Sequence, residues 1–219
     1  MKDTKNEWNE LAKEVDIQTT KQRLYDNLLF DFCGSLRDKK LLDFGCGTGE
    51  IALRSKKGGA EVKAYDLSEN MRKSTSEKIG IENVYSNTLE IPNSYFDVVF
   101  SNLVVCVIKE KETERVLLII NRSLAKNGIA YIGFCNPLSF NIKESLLQKR
   151  IISGLSYTSH HTYKKIIKEG DFIITEQHRP ISFYETLFVK YGFIIEDVKV
   201  SKEGQDFLIY KLKKIKNEK

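Results

Sequence analysis

Residues 41–50, which read Leu-Leu-Asp-Phe-Gly-Cys-Gly-Thr-Gly-Glu, decide the fold of this chain. Two apolar residues and an acid precede three glycines at alternate positions, a pattern typical of a buried strand that runs into a glycine turn and then a helix. Glycine accepts positive φ and lets a ligand approach the backbone without a Cβ in the way. The first amides of the helix would point at a ligand above the turn. The segment therefore predicts a nucleotide-type site.

The spacing of the glycines separates two kinds of such site. A dinucleotide fingerprint reads G-x-G-x-x-G, and its third glycine would fall at position 50, where this chain has Glu50. The chain instead has G-x-G-x-G, with an acid two residues ahead of the first glycine. This pattern resembles motif I of the class I S-adenosylmethionine (SAM)-dependent methyltransferases. The resemblance implies that Asp43 faces the ammonium group of SAM and that the turn binds the cofactor through Gly45, Cys46, Gly47 and Gly49.

A second acid, Asp66, ends the next predicted strand, 21 residues after Gly45. A carboxylate at that strand end can accept hydrogen bonds from both hydroxyls of a ribose. Asp66 could also be a helix cap or a turn residue. Residues 66–71 resemble the D-x-S-x-x-M segment of the same family. The resemblance implies a ribose role for Asp66 and places Leu67 and Met71 in the same site.

Residues 87–92 are similar to the D-A-x-x-L-P segment in which the acid of the family accepts the amino group of adenine. Here Asn87 replaces that acid. Its amide oxygen can still accept the hydrogen bond, more weakly because it carries no charge, and Asn87 could instead be only a turn residue. We expect Thr88 and Leu89 beside the adenine, and Ser101, the last residue of the following strand, in the cofactor site.

The order of elements predicts an α/β fold. Strand-like and helix-like runs alternate up to residue 136, which implies right-handed βαβ crossovers and a parallel sheet with helices on both faces. Two final strand-like runs are joined by residues 202–205. This connection is short enough for a hairpin, so we expect the two strands to be antiparallel neighbours. The methyltransferase resemblance implies a mostly parallel seven-stranded sheet of order 3-2-1-4-5-7-6, with an insertion after strand five. The predicted strands are 40–44, 61–65, 83–87, 96–101, 128–135, 163–168, 171–178, 193–200 and 207–212, and a helix is predicted at 142–152.

Composition limits the class of protein. The 219 residues are enough for one α/β domain with an elaboration, and 41% hydrophobic and 30% charged residues are ordinary for a soluble globular protein. No apolar run approaches the ~20 residues that span a bilayer, and four cysteines without a C-x-x-C pair favour a cytoplasmic location. The net charge of +5 comes from dispersed lysines, which disfavours a nucleic-acid partner. We interpret residues 1–219 as a single domain with an N-terminal helical cap, 1–36, and a substrate lid, 137–180.

Candidate acceptor residues lie outside the shared motifs. Many relatives have histidines just after strand four, where this chain has Cys106 and Val107, so the usual base is missing. Residues 177–184 resemble an H-R-P-x-S-x-Y segment that precedes the last helix of small-molecule methyltransferases. The resemblance implies that His178 is a base and Arg179 an anion clamp, although a histidine at a strand end can also be structural. We expect no metal site, and expect Trp8, Tyr25, Asn102 and Cys106 beside the acceptor.

The second N-terminal helix is predicted to begin at Thr19 or Thr20. Its apolar residues recur four apart, which predicts one buried face made of Leu24, Leu28, Phe32 and Leu36.

The leading hypothesis is a SAM-dependent methyltransferase that acts on a small molecule and releases S-adenosylhomocysteine. Three alternatives stay open: an RNA or protein methyltransferase, a SAM-binding regulatory protein without transferase activity, and a nucleotide-dependent oxidoreductase, which Glu50 disfavours. The sequence does not reveal the acceptor, the atom methylated, the use of a general base or the oligomeric state.

Overall fold

A computed structural model describes residues 4–14, 20–144, 148–152, 156–169, 171–201 and 206–215. Helices and strands alternate along the first part of the chain, and strands dominate the last part. Within the described ranges the helices are α1 (Thr4–Glu14), α2 (Thr20–Cys33), α3 (Glu50–Lys57), α4 (Glu69–Ile79), α5 (Glu110–Ser123) and α6 (Ile181–Lys190). The strands are β1 (Lys40–Phe44), β2 (Glu61–Tyr65), β3 (Phe96–Asn102), β4 (Leu124–Cys135), β5 (Gln148–Ile151), β6 (His161–Ile167), β7 (Phe172–His178), β8 (Phe193–Val200) and β9 (Phe207–Lys214).

The main sheet has the strand order β2-β1-β3-β4-β9-β8. The first four strands are parallel, and β9 runs antiparallel to both β4 and β8. The chain leaves β1 for β2 on one side and returns to β3 on the other, so the strand order reverses between β1 and β3. Ligands of open α/β sheets bind at the carboxyl ends of the strands at such a reversal. The topology therefore places a site above the end of β1.

Helices cover both faces of this sheet, as the alternation of side chains along β3 shows. Val99 belongs to a buried cluster with the apolar residues of α5 and α6. Its neighbours Val98 and Phe100 belong to a second cluster with residues of α2, α3 and α4. Because successive strand residues point to opposite faces, the two clusters lie on opposite sides of the sheet. The α/β fold class with helices on both faces is confirmed.

The prediction of a strand at 83–87 is wrong, so the sheet has six described strands rather than seven. Residues Ile81–Asn83 form a 3-10 turn, and only an isolated parallel bridge joins Val84 to Ala64. The carboxylate of Glu90 accepts hydrogen bonds from both the backbone N–H and the hydroxyl of Ser86. Ser86 is thus bound within the turn that ends at Glu90, and in the described residues the pairing with β2 stops at Val84. The remaining order agrees with the prediction, without the edge strand.

The helix predicted at 142–152 is also wrong, because residues 148–151 form β5. Gln148 and Arg150 are buried while Lys149 and Ile151 are exposed, the two-residue alternation of a strand. β5 joins β6 and β7 in a three-stranded antiparallel sheet, hereafter the lid sheet, where the predicted pair of strands is confirmed. Residues 145–147 of the predicted helix lie outside the described residues, as do residues 202–205, the predicted joint between the last two strands.

The predicted buried face of α2 is confirmed in part: Leu28 and Phe32 pack half-buried against the core, and Leu36, beyond the helix, is buried. Tyr25, Asp26 and Leu29 are buried, whereas Leu24 is exposed. The Tyr25 ring stacks on that of Phe207 in β9, with centroids 3.9 Å apart and planes 9° from parallel. Docking on this aromatic ring sets the rotation of the helix, which the apolar spacing alone did not reveal.

Within the described ranges, none of the helices is long and apolar enough to cross a membrane.

Candidate functional site

A cavity of about 390 Å³ lies at the carboxyl ends of β1, β2 and β3. The glycine turn after β1 forms one wall, together with the residues that follow β2 and β3. Helices α1, α2 and α5 contribute Trp8, Asp26 and a group of residues from Glu112 to Ile119. The cavity is therefore at the reversal of strand order, where the fold predicts a ligand, and we call it the main cavity.

Backbone hydrogen bonds hold the glycine turn against the end of β2. The N–H groups of Gly45 and Cys46 both donate to the Tyr65 carbonyl, at 2.7 and 3.1 Å. The N–H of Gly47 donates to the Asp66 carboxylate at 3.0 Å. The end of β2 and the following Asp66 thus fix the glycine turn, so the two sequence motifs form one structural unit.

Two of the turn glycines are needed for different reasons. Gly45 has φ 79°, and a Cβ there would lie 2.2 Å from Cγ2 of Val104, closer than atoms can pack. Gly47 has φ 53°, and a Cβ there would meet nothing within 4 Å. Gly45 allows the segment after β3 to approach the turn, whereas Gly47 leaves the turn open above its backbone.

Replacing Gly45 with alanine is expected to destabilise the protein by about 3 kcal/mol, since the new methyl group overlaps Val104 and the backbone is left-handed. Gly47→Ala is the matched control and should cost only about 1 kcal/mol, from the left-handed backbone alone. Urea unfolding of both variants measures the difference. Adding Val104→Ala should recover part of the loss in Gly45→Ala, and equal stability of the two single variants would contradict this account.

Asp66 lies at the end of β2 and lines the main cavity. Its second carboxylate oxygen accepts from Ser68 N at 2.8 Å, so each oxygen holds one backbone N–H. Burial raises the pKa of Asp66, while the two N–H donors and the nearby Arg72 oppose that shift. A carboxylate oxygen can accept more than one hydrogen bond, so this group retains capacity for the hydroxyls of a ligand.

Asp43 is buried directly under the turn, with 1% of its surface exposed, and its Oδ2 has no hydrogen-bond partner. Burial raises its pKa to about 8, and the carboxylates of Asp26 and Asp66 add to the increase. Asp26 itself lines the main cavity and accepts a hydrogen bond from the Asn102 amide at 3.0 Å. The buried oxygen of Asp43 and the two neighbouring acids together favour a ligand that brings positive charge.

The lining of the main cavity is acidic as a whole. Its charged residues are Asp26, Glu50, Asp66 and Glu112, with Arg115 as the cation among the lining residues. Lys78, outside the lining, forms an ion pair with Glu50 at 2.5 Å. Phosphate sites place cations or unopposed N–H groups at the ligand, so this lining disfavours a pyrophosphate. It suits a ligand with cationic groups.

Many of the predicted site residues come together here. Those that line the main cavity are Trp8, Gly45, Cys46, Gly47, Asp66, Leu67, Thr88 and Asn102. Others are not part of the lining but are buried: Asp43, Gly49, Met71 and Ser101. The hydroxyl of Ser101 has no hydrogen-bond partner.

The structure does not bring Asn87 and Leu89 into the lining. The Asn87 amide oxygen accepts from Leu89 N at 2.9 Å, which is the turn role considered from the sequence, and Leu89 is 91% exposed. Thr88 is the residue of this segment that lines the main cavity.

His178 and Arg179 also lie apart from the main cavity, in the small space under the lid sheet. His178 Nε2 lies 2.9 Å from the Tyr157 carbonyl, and burial lowers the pKa of the ring. The Arg179 guanidinium donates to the carbonyls of Val105 and Ile108, at 3.1 and 2.6 Å. His178 thus contacts the segment that precedes β6, and Arg179 ties the end of the lid sheet to the segment after β3.

Helix α1 covers the main cavity by docking on two sides of it. The Asn9 amide oxygen accepts from the Ser68 hydroxyl at 2.7 Å and from Glu69 N at 3.1 Å, at the start of α4. The Glu7 carboxylate accepts from Thr175 N of the lid sheet at 2.9 Å. Sequence reasoning missed Asn9 and Asp26, because a polar residue in an amphipathic helix gives no signal of what it docks against.

A glycine turn at a strand-order reversal, an acid at the end of the adjacent strand and an acidic cavity are features of a Rossmann-like α/β fold with a candidate nucleoside site. Residues 42–132 match the family model described as "Methyltransferase domain". That region is similar to methyltransferase domains, and the chain has the fold of the class I SAM-dependent methyltransferases. The resemblance inferred from motif I is confirmed.

Individual proteins that are similar to this chain include other methyltransferases. The ribosomal protein L11 methyltransferase of Helicobacter hepaticus is 31% identical over 119 residues, which cover 49% of this chain and 36% of that protein. The CcbJ methyltransferase of Streptomyces caelestis superposes with a TM-score of 0.70 at 14% identity, over 98% of this chain and 100% of that one. A second solved structure is the 1,6-didemethyltoxoflavin-N1-methyltransferase of Burkholderia thailandensis, crystallised with 1,6-didemethyltoxoflavin and S-adenosylhomocysteine. It superposes with a TM-score of 0.62 at 16% identity, over 94% of this chain and 84% of that one. The chain spans less than half the length of the first curated relatives that it matches.

Proposed function

We propose that this chain is a SAM-dependent methyltransferase that acts on a small-molecule acceptor. The observation that carries the proposal is the acidic main cavity with the unpartnered buried oxygen of Asp43. SAM has a sulfonium and an ammonium group, so this lining complements its charge, whereas the pyrophosphate of NAD would be repelled. When bound, SAM supplies a methyl group on a positively charged sulfur.

The residues present fit the cofactor at both of its ends. Asp66, which lines the cavity at the end of β2, would hold the ribose hydroxyls. Asp26, which lines the cavity, would hold the ammonium group through a charge-assisted hydrogen bond, and the charge of Asp43 beneath the turn would favour that group. Leu67 and Thr88 line the same cavity and would contact the base. What the protein contributes to transfer is orientation, because holding two reactants in line removes much of the entropic barrier.

The small size of the acceptor is inferred from what covers the main cavity. α1 reaches from α4 to the lid sheet through Asn9 and Glu7, and Gln177 N of the lid sheet donates to the Cys106 carbonyl at 2.7 Å. A folded protein or an RNA helix would have to displace these contacts before it approached the cavity. Residues 1–36 and 137–180 would then form the acceptor site over the cofactor.

Titration calorimetry with SAM, S-adenosylhomocysteine and NAD tests the cofactor assignment. We expect micromolar affinity for the two sulfur compounds and no binding of NAD up to millimolar concentration. Trp8 gives a second readout, since it is the single tryptophan of the chain and lines the main cavity. NAD binding, or failure of both sulfur compounds to bind, would overturn the proposal.

A further inference from the structure

A second cavity of about 80 Å³ adjoins the main cavity. Trp8, Leu103 and Val107 line both cavities, so these three side chains form the boundary between them. Leu103 has φ 61°, a left-handed conformation that costs a bulky residue about 1 kcal/mol or more. Such strain collects at functional sites, and here it occurs where the two cavities meet.

The second cavity is lined mainly by apolar and aromatic side chains, and it contains one buried ion pair. Lys165 of β6 and Glu176 of β7 line it, and only 2% and 3% of their surfaces are exposed. Lys165 donates to one oxygen of Glu176 and lies 3.2 Å from the Cys135 sulfur. The hydroxyl of Tyr163 donates to the other oxygen of Glu176.

Stability alone does not account for this ion pair. Removing two charges from water costs several kcal/mol per ion, and apolar residues of similar volume are often as stable in such a place or more so. The remaining lining offers apolar contacts and flat rings, from Ile167, Phe172, Ile174 and Tyr25. The pair is thus the charged place in the described lining, and its carboxylate is a strong hydrogen-bond acceptor.

We propose that the second cavity is the acceptor subsite, and that it takes the polar end of a small, flat, uncharged molecule with an O–H or N–H group. Glu176 accepts the hydrogen bond of that group, and the aromatic walls contact the rest of the ring. This inference rests on the proposed methyltransferase function, because it defines the acceptor of that reaction.

Charge balance is the reason for an uncharged acceptor. Lys165 and Glu176, the charged residues among those that line the second cavity, cancel. An acceptor with a carboxylate or an ammonium group would add an uncompensated buried charge, which is costly. A neutral hydrogen-bond donor can instead bind the Glu176 carboxylate without adding net charge to the cavity.

Size is the reason for a small acceptor. An apolar cavity of ~150 Å³ accepts one benzene molecule, so the 80 Å³ here hold only one end of a ring. The rest of the molecule would extend past Leu103 and Val107 towards the main cavity, where the methyl group of the cofactor is expected.

The experiment uses the protein saturated with S-adenosylhomocysteine and follows Trp8 fluorescence during titration with phenol, benzoate and toluene. Phenol is a neutral O–H donor at pH 7, benzoate an anion of similar shape, and toluene has no donor. We expect phenol to bind at least tenfold more tightly than either of the others. Benzoate or toluene binding as tightly as phenol would overturn the proposal.

A double variant, Lys165→Met with Glu176→Leu, removes the ion pair and keeps the volume. We expect the preference for phenol over toluene to disappear, while affinity for S-adenosylhomocysteine changes less than twofold. The matched control is Lys168→Met with Glu144→Leu, an exposed ion pair of 2.7 Å, which should keep the preference. If the double variant does not fold, Ile174→Phe serves instead. The larger side chain in the second cavity should block the binding of phenol and leave that of S-adenosylhomocysteine unchanged, and unchanged phenol binding would overturn the proposal.

The two proposals fail in different ways. Absence of S-adenosylhomocysteine binding to the native chain would overturn the proposed function. Normal binding of S-adenosylhomocysteine together with an unchanged phenol preference in the double variant would overturn the acceptor subsite only.

Discussion

Asp66→Ala is expected to lower the affinity for S-adenosylhomocysteine at least about 100-fold, because two hydrogen bonds to a charged acceptor are lost. The same change removes the acceptor of Gly47 N and Ser68 N, so the glycine turn also loses its tie to β2. Calorimetric titration measures the affinity, and circular dichroism confirms that the variant is folded. Asp66→Asn keeps one acceptor oxygen, so its affinity should lie between that of the native chain and that of Asp66→Ala.

Asp97→Ala is the matched control for Asp66→Ala. Asp97 also accepts a backbone hydrogen bond, from Lys40 N at 3.0 Å, but it lies at the opposite, amino-terminal ends of β1 and β3. Because this site is remote from the main cavity, affinity should stay within about twofold of that of the native chain. Equal losses in the two variants would mean that Asp66 acts through stability and not through ligand contact.

The pKa of Asp43 predicts a pH dependence of SAM binding. The empty protein holds this carboxyl mostly protonated at pH 7, since burial and the neighbouring acids raise its pKa to about 8 from an ordinary value of 3.8. A bound ammonium group favours the ionised form, so binding must release a proton below pH 8. Affinity should therefore rise about tenfold from pH 6 to pH 7 and level off near pH 8, where the α-amino group of SAM begins to lose its own proton.

Asp43→Asn tests this interpretation with little change of shape. The variant should bind SAM more weakly at pH 8, and its affinity should be nearly constant from pH 6 to pH 7. Calorimetry at pH 7 in buffers of different ionisation enthalpy should detect release of close to one proton by the native chain and none by the variant. A native-like proton release in Asp43→Asn would assign the titration to another group.

The same shift has a consequence for the empty protein. The folded-state pKa of Asp43 lies above its unfolded value, so its contribution to stability is complete below about pH 4 and is lost as the pH rises towards 8. A cationic ligand reverses that loss. Stabilisation by SAM should thus be larger at pH 8 than at pH 6.

Many of the residues that the sequence assigns to the cofactor come together in the structure, because the features that place them are local. Gly45, Gly47 and Asp66 occupy positions that follow from a strand, a turn and the next strand, and a parallel pair of strands brings their ends together. The same rule failed for Asn87, since its predicted strand is reduced to one bridge at Val84 and Asn87 lies in the turn between Ser86 and Glu90.

The acceptor side could not be predicted in this way. His178 and Arg179 matched a family segment, yet their side chains lie apart from the main cavity and contact main-chain carbonyls. Lys165 and Glu176 gave no sequence signal, because charged residues in strands are ordinarily solvated. They become a candidate site only after β6 and β7 pair and the lid sheet packs over the segment that follows β3.

The sequence by itself determined the α/β class, the strand-turn-helix unit at residues 41–50 and the acid at the end of β2. These depend on hydrophobic periodicity and backbone geometry over short distances, which neighbouring residues fix. Only the tertiary structure decided the rotation of α2 that brings Asp26 to the main cavity, the docking of α1 through Asn9, and the buried ion pair of the second cavity. Those features depend on contacts between segments far apart in the chain, and their energies come from packing and charge pairing that no local pattern encodes.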